Sequence, residues 1–173
     1  MTALRMPPAR MDKTEFMEKF GGLYERSPWI AEAVFDTGLD AAHNSAAGLH
    51  AAFCEVVNCA GRQRQLDLLR AHPDLAGKLA RKDALTSSSR REQAGAGLDQ
   101  CSEEEFALFS RLNERYQEKF GFPFIMAVKG ADRAQILLQF EIRVENSAAA
   151  EFDTALGQVM KIGWFRLMDI FNE

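Results

Sequence analysis

A histidine at a predicted helix break is the first residue of this chain whose type and position suit chemistry. His72 precedes Pro73 and Asp74, and a helix that reaches this point must end near it, because proline disfavours helical geometry in the residue before it. A side chain at such a break can point into a cleft, and histidine exchanges protons near neutral pH. A simpler interpretation has His72 cap a following helix, with Pro73 as its first residue. Spacing alone favours this cap.

A polar group further along the chain has the same two interpretations. Ser89 and Glu92 have the three-residue spacing of a capping box, which needs no function to explain it. The box does not explain Gln93, whose side-chain amide could donate and accept hydrogen bonds to a heterocycle at the same time. Periodicity alone favours the cap here as well.

Arg166 falls on the apolar stripe of the last predicted helix, where a charge is costly unless it is paired. Three explanations carry equal weight from the residues alone. The guanidinium could pair with a buried carboxylate of the protein, it could extend to the edge of the apolar surface, or it could bind an anionic substrate through two hydrogen bonds.

The remaining histidines and the cysteines give no metal or disulfide pattern. His43 and His50 lie in an alanine-rich stretch without HxxxH or HExxH spacing, and we expect them at the surface or in helix packing. The three cysteines, an odd count without a CxxC pair, argue against a disulfide scaffold and for a reducing compartment. We expect no metal and a cytoplasmic location.

Composition excludes several classes of partner. The chain has 173 residues, 47% of them apolar, and a formal net charge of −4, so it fits one globular domain. Its basic residues form only small clusters, which argues against nucleic-acid binding. No apolar run approaches the roughly 20 residues that cross a membrane, and residues 1–10 lack the apolar segment of a secretory signal.

The elements that must position these residues are predicted to be helices. Apolar residues recur every three or four positions along most of the chain, as in Phe106, Phe109, Leu112 and Tyr116, which is typical of amphipathic helices. The sequence predicts an all-α fold: a single compact domain of about eight helices over residues 12–173, after a flexible N-terminal arm at residues 1–11. The continuous apolar run that starts at Phe122 has no evident partner strand, so we expect residues 122–130 to form an irregular buried segment.

Several segments also form longer motifs. They are Leu23-Tyr24-Glu25, Ser27-Pro28-Trp29-Ile30, AHPDLAGK at 71–78, Ser89-Arg90-Arg91-Glu92-Gln93, Ala96-Gly97-Leu98-Asp99, Leu112-Asn113, KFGFPFI at 119–125, Ala127-Val128-Lys129-Gly130, and Arg166-Leu167 before Asp169. Together they resemble the 2-oxo-4-hydroxy-4-carboxy-5-ureidoimidazoline (OHCU) decarboxylase family over nearly the whole chain. Long motifs in the family's order make the resemblance more specific than one short pattern.

The resemblance implies roles for individual residues. His72 would be the catalytic acid or base, with Glu92 as its catalytic companion. The substrate site would be lined by Pro73, Ser89, Gln93, Phe124, Ile125, Met126, Ala127, Val128 and, with less support, Arg166. The apolar segment would contribute partly through its backbone groups. The family is all-α and homodimeric and uses no cofactor, which we therefore expect here.

The implied activity is the decarboxylation of OHCU, a small anionic imidazoline, to (S)-allantoin in urate degradation. The carboxylate of this substrate sits beside a C=N bond that can accept the electrons of the breaking bond, so no organic cofactor is required. One alternative is a non-catalytic helical module that binds a ureide or a partner helix, since capping explains much of the polar pattern. A second alternative is a related ring hydrolase or isomerase, which would retain the carboxylate.

Overall fold

A computed structural model describes residues 6–75 and 86–172, and this part of the chain holds eight α-helices and no β-strand. The helices are α1 (Lys13–Phe20), α2 (Trp29–Asp36), α3 (Ala46–Cys59), α4 (Arg62–Ala71), α5 (Ser87–Gly95), α6 (Glu103–Phe120), α7 (Arg133–Arg143) and α8 (Ala148–Asn172). Short 3-10 turns lie at Pro8–Arg10, Ala41–Asn44 and Leu98–Gln100. The predicted all-α class with about eight helices is confirmed. No helix of the described residues is long and apolar enough to cross a membrane.

Side-chain caps start several helices where the spacing predicts them. The carboxylate of Asp12 accepts the N–H of Glu15 at the start of α1, and the Glu15 carboxylate accepts the N–H of Asp12. Ser102 and Glu105 form the same reciprocal pair at the start of α6. Such a box satisfies two backbone donors that a helix start leaves without partners. Gly121, which ends α6, has a φ of 74°, which glycine adopts without strain.

The contacts of the chain form two compact units, residues 1–71 with 160–173 and residues 72–159. In the first unit, Phe16 lies at the centre of an aromatic cluster, with ring centroids 4.8 Å from Phe20, 5.5 Å from Phe35 and 6.5 Å from Phe53. Within the segment predicted as an arm, Pro8 is buried and the N–H of Ala9 donates to Asn44. The predicted boundary between an arm and a domain from residue 12 stays a prediction.

The second unit has its own aromatic centre. Phe124 stacks on Phe140 with ring centroids 3.9 Å apart, and Tyr116 meets both rings edge-on. The residues from Phe122 to Val128 form neither helix nor strand, and most of them are buried. The predicted irregular buried segment is therefore confirmed, and α6, α7 and the first half of α8 supply the groups that hold it.

Candidate active site

His72 directly follows the end of α4 at Ala71 and is buried. It is only 6% exposed, and the three residues that follow it are not helical. The predicted end of the helix before Pro73 is thus confirmed. The interpretation of His72 as the cap of a helix that begins at Pro73 is therefore wrong, because residues 73–75 are not helical and a cap directly precedes the first helical residue. Residues 76–78 of the 71–78 motif lie outside the described residues.

Three side-chain amides hold the chain directly after His72. Gln93 of α5 donates to the carbonyl of Asp74 at 3.3 Å, and Asn113 of α6 donates to the carbonyl of Leu75 at 2.9 Å. Gln117, one turn further along α6, donates to the Asp74 carboxylate at 2.8 Å. The first two bonds hold the backbone two and three residues beyond His72, and the third holds the Asp74 side chain against α6.

The cap of α5 is Thr86 and not Ser89. The Thr86 hydroxyl accepts the N–H of Ser89 at 3.2 Å, and the helix begins at Ser87. The capping-box interpretation of Ser89 and Glu92 is therefore wrong. Residues 86–89 are four consecutive hydroxyl residues, any of which can accept a backbone N–H at a helix start. The first of them, Thr86, is the cap.

Ser89 is the third residue of α5, and its hydroxyl accepts a hydrogen bond from the Thr86 hydroxyl at 3.2 Å. It lies on the same face as Glu92 and Gln93, since residues three and four positions apart are neighbours on a helix. Ser89 and Gln93 are buried, and Glu92 is half-buried. This face joins a hydroxyl, a carboxylate and an amide, and its Gln93 contacts the segment that follows His72. Gln93 therefore links α5 to the segment that follows His72.

Protein groups already engage part of the backbone of the apolar segment. The carbonyl of Ile125 accepts from Arg143 at 2.8 Å, and the N–H of Ala127 donates to Gln158 at 2.9 Å. Phe124, Ile125, Ala127 and Val128 are buried, whereas Met126 is half-buried. The single proton of the Ala127 N–H is therefore already satisfied within the protein.

Arg166 lies in the other unit, where it meets the loop after α1. It is 8% exposed, and its guanidinium donates to the carbonyl of Leu23 and to the carboxylate of Glu25, each at 3.2 Å. Of the three explanations for this charge, pairing with a buried carboxylate is confirmed, and its burial excludes extension to the surface. A role for Arg166 in substrate binding stays a prediction.

Some residues of this arrangement were not identified as site residues from the sequence. Asn113 and Gln117 follow one another by four residues on α6, and a polar pair beside an apolar stripe was the available signal. Glu25 could be suspected only through its motif, because it lies 141 positions from Arg166. Arg143 and Glu151, both buried, gave no signal beyond two charges within amphipathic helices.

The two tyrosines and the other two histidines lie outside this arrangement. Burial raises the pKa of Tyr24, and for Tyr116 the hydrogen bond to Glu151 adds to the rise in pKa that burial causes. His43 bonds Asp40 at 2.8 Å and His50 bonds the Met160 carbonyl at 2.9 Å, as their packing interpretation predicts. Within residues 6–75 and 86–172, no group of three or more His, Cys, Asp and Glu side chains could hold a metal.

A family model and several known proteins are similar to nearly the whole of this chain. A family model described as OHCU decarboxylase matches residues 9–168. The 2-oxo-4-hydroxy-4-carboxy-5-ureidoimidazoline decarboxylase of Haloferax volcanii is 42% identical over 94% of this chain and 93% of its own length. The uric acid degradation bifunctional protein PucL of Bacillus subtilis is 37% identical over 95% of this chain, which spans 32% of that protein.

A solved structure agrees in both sequence and fold. The crystal structure of an (S)-allantoin synthase superposes with a TM-score of 0.73 and 32% identity, over 95% of this chain and 52% of that one, so this chain spans about half of that protein. The matched motifs, the helical fold and the extent of the family match over residues 9–168 lead to one conclusion: the chain belongs to the OHCU decarboxylase family.

Proposed function

We propose that this protein decarboxylates OHCU to (S)-allantoin during urate degradation, without a cofactor. The observation that carries the proposal is the hydrogen bond from Gln93 of α5 to the carbonyl of Asp74, two residues after the buried His72. Membership of the family supplies the substrate class, and this geometry supplies groups that suit it.

The substrate can stabilise its own intermediate. Its carboxylate sits on a ring carbon that also bears a hydroxyl, next to a C=N bond. When the bond to the carboxylate breaks, CO₂ leaves, its electron pair forms a C=C bond to the neighbouring carbon, and the C=N electrons move to the ring nitrogen, which takes up a proton from solvent. The hydroxyl then loses its proton to become a carbonyl, and the neighbouring carbon, which bears the ureido group, takes up a proton. The enzyme must orient the carboxylate, manage the hydroxyl proton, and deliver the new proton to one face of the ring.

His72 handles the proton at the hydroxyl or at the new carbon centre, because imidazole can act as both acid and base near neutral pH. Glu92 orients the imidazole or accepts the ureido N–H groups. Gln93 and Ser89 bind the urea-like edges of the ring, and Pro73 and the 124–128 segment form the apolar walls. Arg166 holds the carboxylate or a product oxygen, since a guanidinium matches such groups with two hydrogen bonds.

The test follows the wild-type protein with OHCU generated in place from urate. We expect CO₂ release and the circular dichroism of (S)-allantoin to rise together, well above the rate of spontaneous decay. A rate equal to spontaneous decay would favour a ureide- or partner-binding module. A new product that retains the carboxylate would indicate a ring hydrolase or isomerase. Either outcome would overturn the proposal.

We also propose a homodimer in the cytoplasm. The dimer rests on the family resemblance and on two exposed apolar side chains one turn apart on α7, Leu138 at 55% and Ile142 at 52% exposure. The cytoplasmic location rests on the three cysteines, all of which are free, as is usual in a reducing compartment. Sedimentation of the purified chain tests the dimer, and a monomer at micromolar concentration would contradict it.

A further inference from the structure

A buried ion pair lies beside the apolar segment. Arg143, the last residue of α7, donates from Nε and Nη2 to one carboxylate oxygen of Glu151 at 2.9 and 2.6 Å. The two side chains are 6% and 0% exposed. Glu151 also accepts from the hydroxyl of Tyr116 and, at 2.8 Å, from the side chain of Asn146. Both carboxylate oxygens are therefore engaged, and the carboxylate is held in one position.

The guanidinium of Arg143 also contacts the apolar segment. Its Nη1 donates to the carbonyl of Ile125 at 2.8 Å, and its carbon lies 4.5 Å from the centre of the Phe124 ring. The Phe124 ring is also stacked on the ring of Phe140. One planar cation thus fixes both the backbone direction at Ile125 and the ring orientation at Phe124, at the start of the 124–128 segment.

Stability alone does not explain this arrangement. Apolar residues of similar volume often replace a buried ion pair at no cost in stability, because removing two charges from water is expensive. What the pair supplies instead is a defined geometry, since a guanidinium donates in fixed directions and carboxylates and carbonyls accept along them. The group that receives this geometry is the backbone of the segment predicted to line the substrate.

We propose that Arg143 is a positioning residue for the decarboxylation, anchored by Glu151, which sets the backbone of Ile125 and so aligns the 124–128 segment against the substrate. The inference rests on the proposed function and extends it to two residues that do not touch the substrate. Misalignment of this segment lets the substrate ring shift or turn, and protonation then loses its preference for one face.

The direct test is Arg143→Lys. Lysine keeps the charge beside Glu151, but its single ammonium cannot donate to Glu151 and Ile125 in the directions of the guanidinium. We expect kcat/KM to fall about 10- to 100-fold, the scale at which small misplacements act, with part of the product formed as (R)-allantoin. A folded Arg143→Lys protein with wild-type kcat, KM and product stereochemistry would overturn the inference.

A second variant keeps the test decisive if lysine destabilises the fold. Arg143→Met combined with Glu151→Gln removes both charges, so that neither is left buried without its partner. We expect a folded protein, by circular dichroism and thermal unfolding, with the same loss of stereochemical preference. Wild-type stereochemistry in this folded double variant would also overturn the inference.

Asn146→Ala is the matched control, because it removes one hydrogen bond to Glu151 and leaves the contact between Arg143 and Ile125 in place. We expect a lower melting temperature and unchanged kcat, KM and product stereochemistry. If Asn146→Ala altered the stereochemistry as much as Arg143→Lys, the network would act only through stability and the inference would fail. A wild-type protein without decarboxylase activity would instead refute the proposed function, so the two failures are distinguishable.

Discussion

At the scale of single residues, Gly163 shows how one missing side chain admits another. A Cβ atom at this position of α8 would lie 2.6 Å from the hydroxyl oxygen of Tyr24 and 2.8 Å from the ring carbon that bears it. Tyr24 is buried, so its ring has little room to retreat. Glycine costs a helix about 1 kcal/mol relative to alanine, and here that cost is offset by the packing of the tyrosine.

Gly163→Ala should therefore destabilise the protein even though alanine is the better helix former. We expect the free energy of unfolding in urea to fall by about 1–3 kcal/mol, the usual cost of overpacking. Gly157→Ala is the control on the same helix, since nothing lies within 4 Å of its added Cβ, and it should raise stability by up to about 1 kcal/mol. Equal effects of the two substitutions would contradict this packing argument.

The residue types and local breaks could be predicted from sequence, but their distant partners could not. Pro73 is enough to place the end of α4 before it and to single out His72. The need of Arg166 for a partner follows from its place on an apolar stripe. The identity of that partner, Glu25, depends on chain folding over 141 positions, and no local pattern contains it.

At the scale of elements, caps decide where the helices begin. The spacing of a capping box coincides with the observed helix starts at Asp12 and Ser102, where one capping residue precedes one acidic partner. It fails at α5, because Ser89 and Glu92 satisfy the spacing rule while Thr86, three residues earlier, satisfies the backbone. Because Thr86 is the cap, Ser89 lies within the first turn of α5 rather than directly before the helix.

Thr86→Ala should destabilise α5. Loss of a threonine cap costs about 0.5–2 kcal/mol, and the change should appear as a lower melting temperature in thermal unfolding followed by circular dichroism. Ser89→Ala removes a hydroxyl that does not cap the helix, and we expect it to reduce OHCU turnover more than Thr86→Ala does. Ser89→Ala should also lower the melting temperature, though less than Thr86→Ala, because the Ser89 hydroxyl accepts from the Thr86 hydroxyl at 3.2 Å. Wild-type turnover in Ser89→Ala would contradict a role for Ser89 toward the substrate.

The apolar segment shows what element prediction leaves out. A continuous apolar run without a partner strand was enough to predict that residues 122–130 are irregular and buried. The groups that hold its backbone come from two different helices: Arg143 of α7 donates to Ile125, and Gln158 of α8 accepts from Ala127. These contacts depend on packing between elements distant in sequence, which periodicity does not describe.

At the scale of the whole molecule, the two tyrosines should make the free energy of unfolding fall as pH rises in the alkaline range. The chain contains only Tyr24 and Tyr116, and burial raises the pKa of each above its ordinary value near 10. Above about pH 10 the unfolded chain releases phenolic protons that the folded protein retains. The free energy of unfolding should therefore fall as pH rises past this point, and the tyrosines should contribute nothing to its slope at neutral pH.

Urea unfolding between about pH 8 and pH 11 measures this dependence. Tyr24→Phe and Tyr116→Phe should each flatten the decline, since each removes one group that ionises only after unfolding. The slope from one tyrosine is at most about 1.4 kcal/mol per pH unit. A decline as steep in both variants as in the wild type would show that other groups cause it.

The central claim is that His72 moves a proton in the decarboxylation of OHCU, and His72→Asn tests it most directly. Asparagine keeps a polar side chain at the buried position but cannot act as an acid or base at neutral pH. His43→Asn is the control, because it makes the same change beside Asp40, away from the proposed chemistry. Both variants are compared with the wild type by the rate and the sign of the circular dichroism of allantoin.

The account predicts a folded His72→Asn protein whose turnover is at least about 100-fold lower, as expected for loss of a general acid or base, and whose product is racemic. The His43→Asn protein should keep wild-type turnover and form (S)-allantoin. A folded His72→Asn protein that forms (S)-allantoin at close to the wild-type rate would contradict the account.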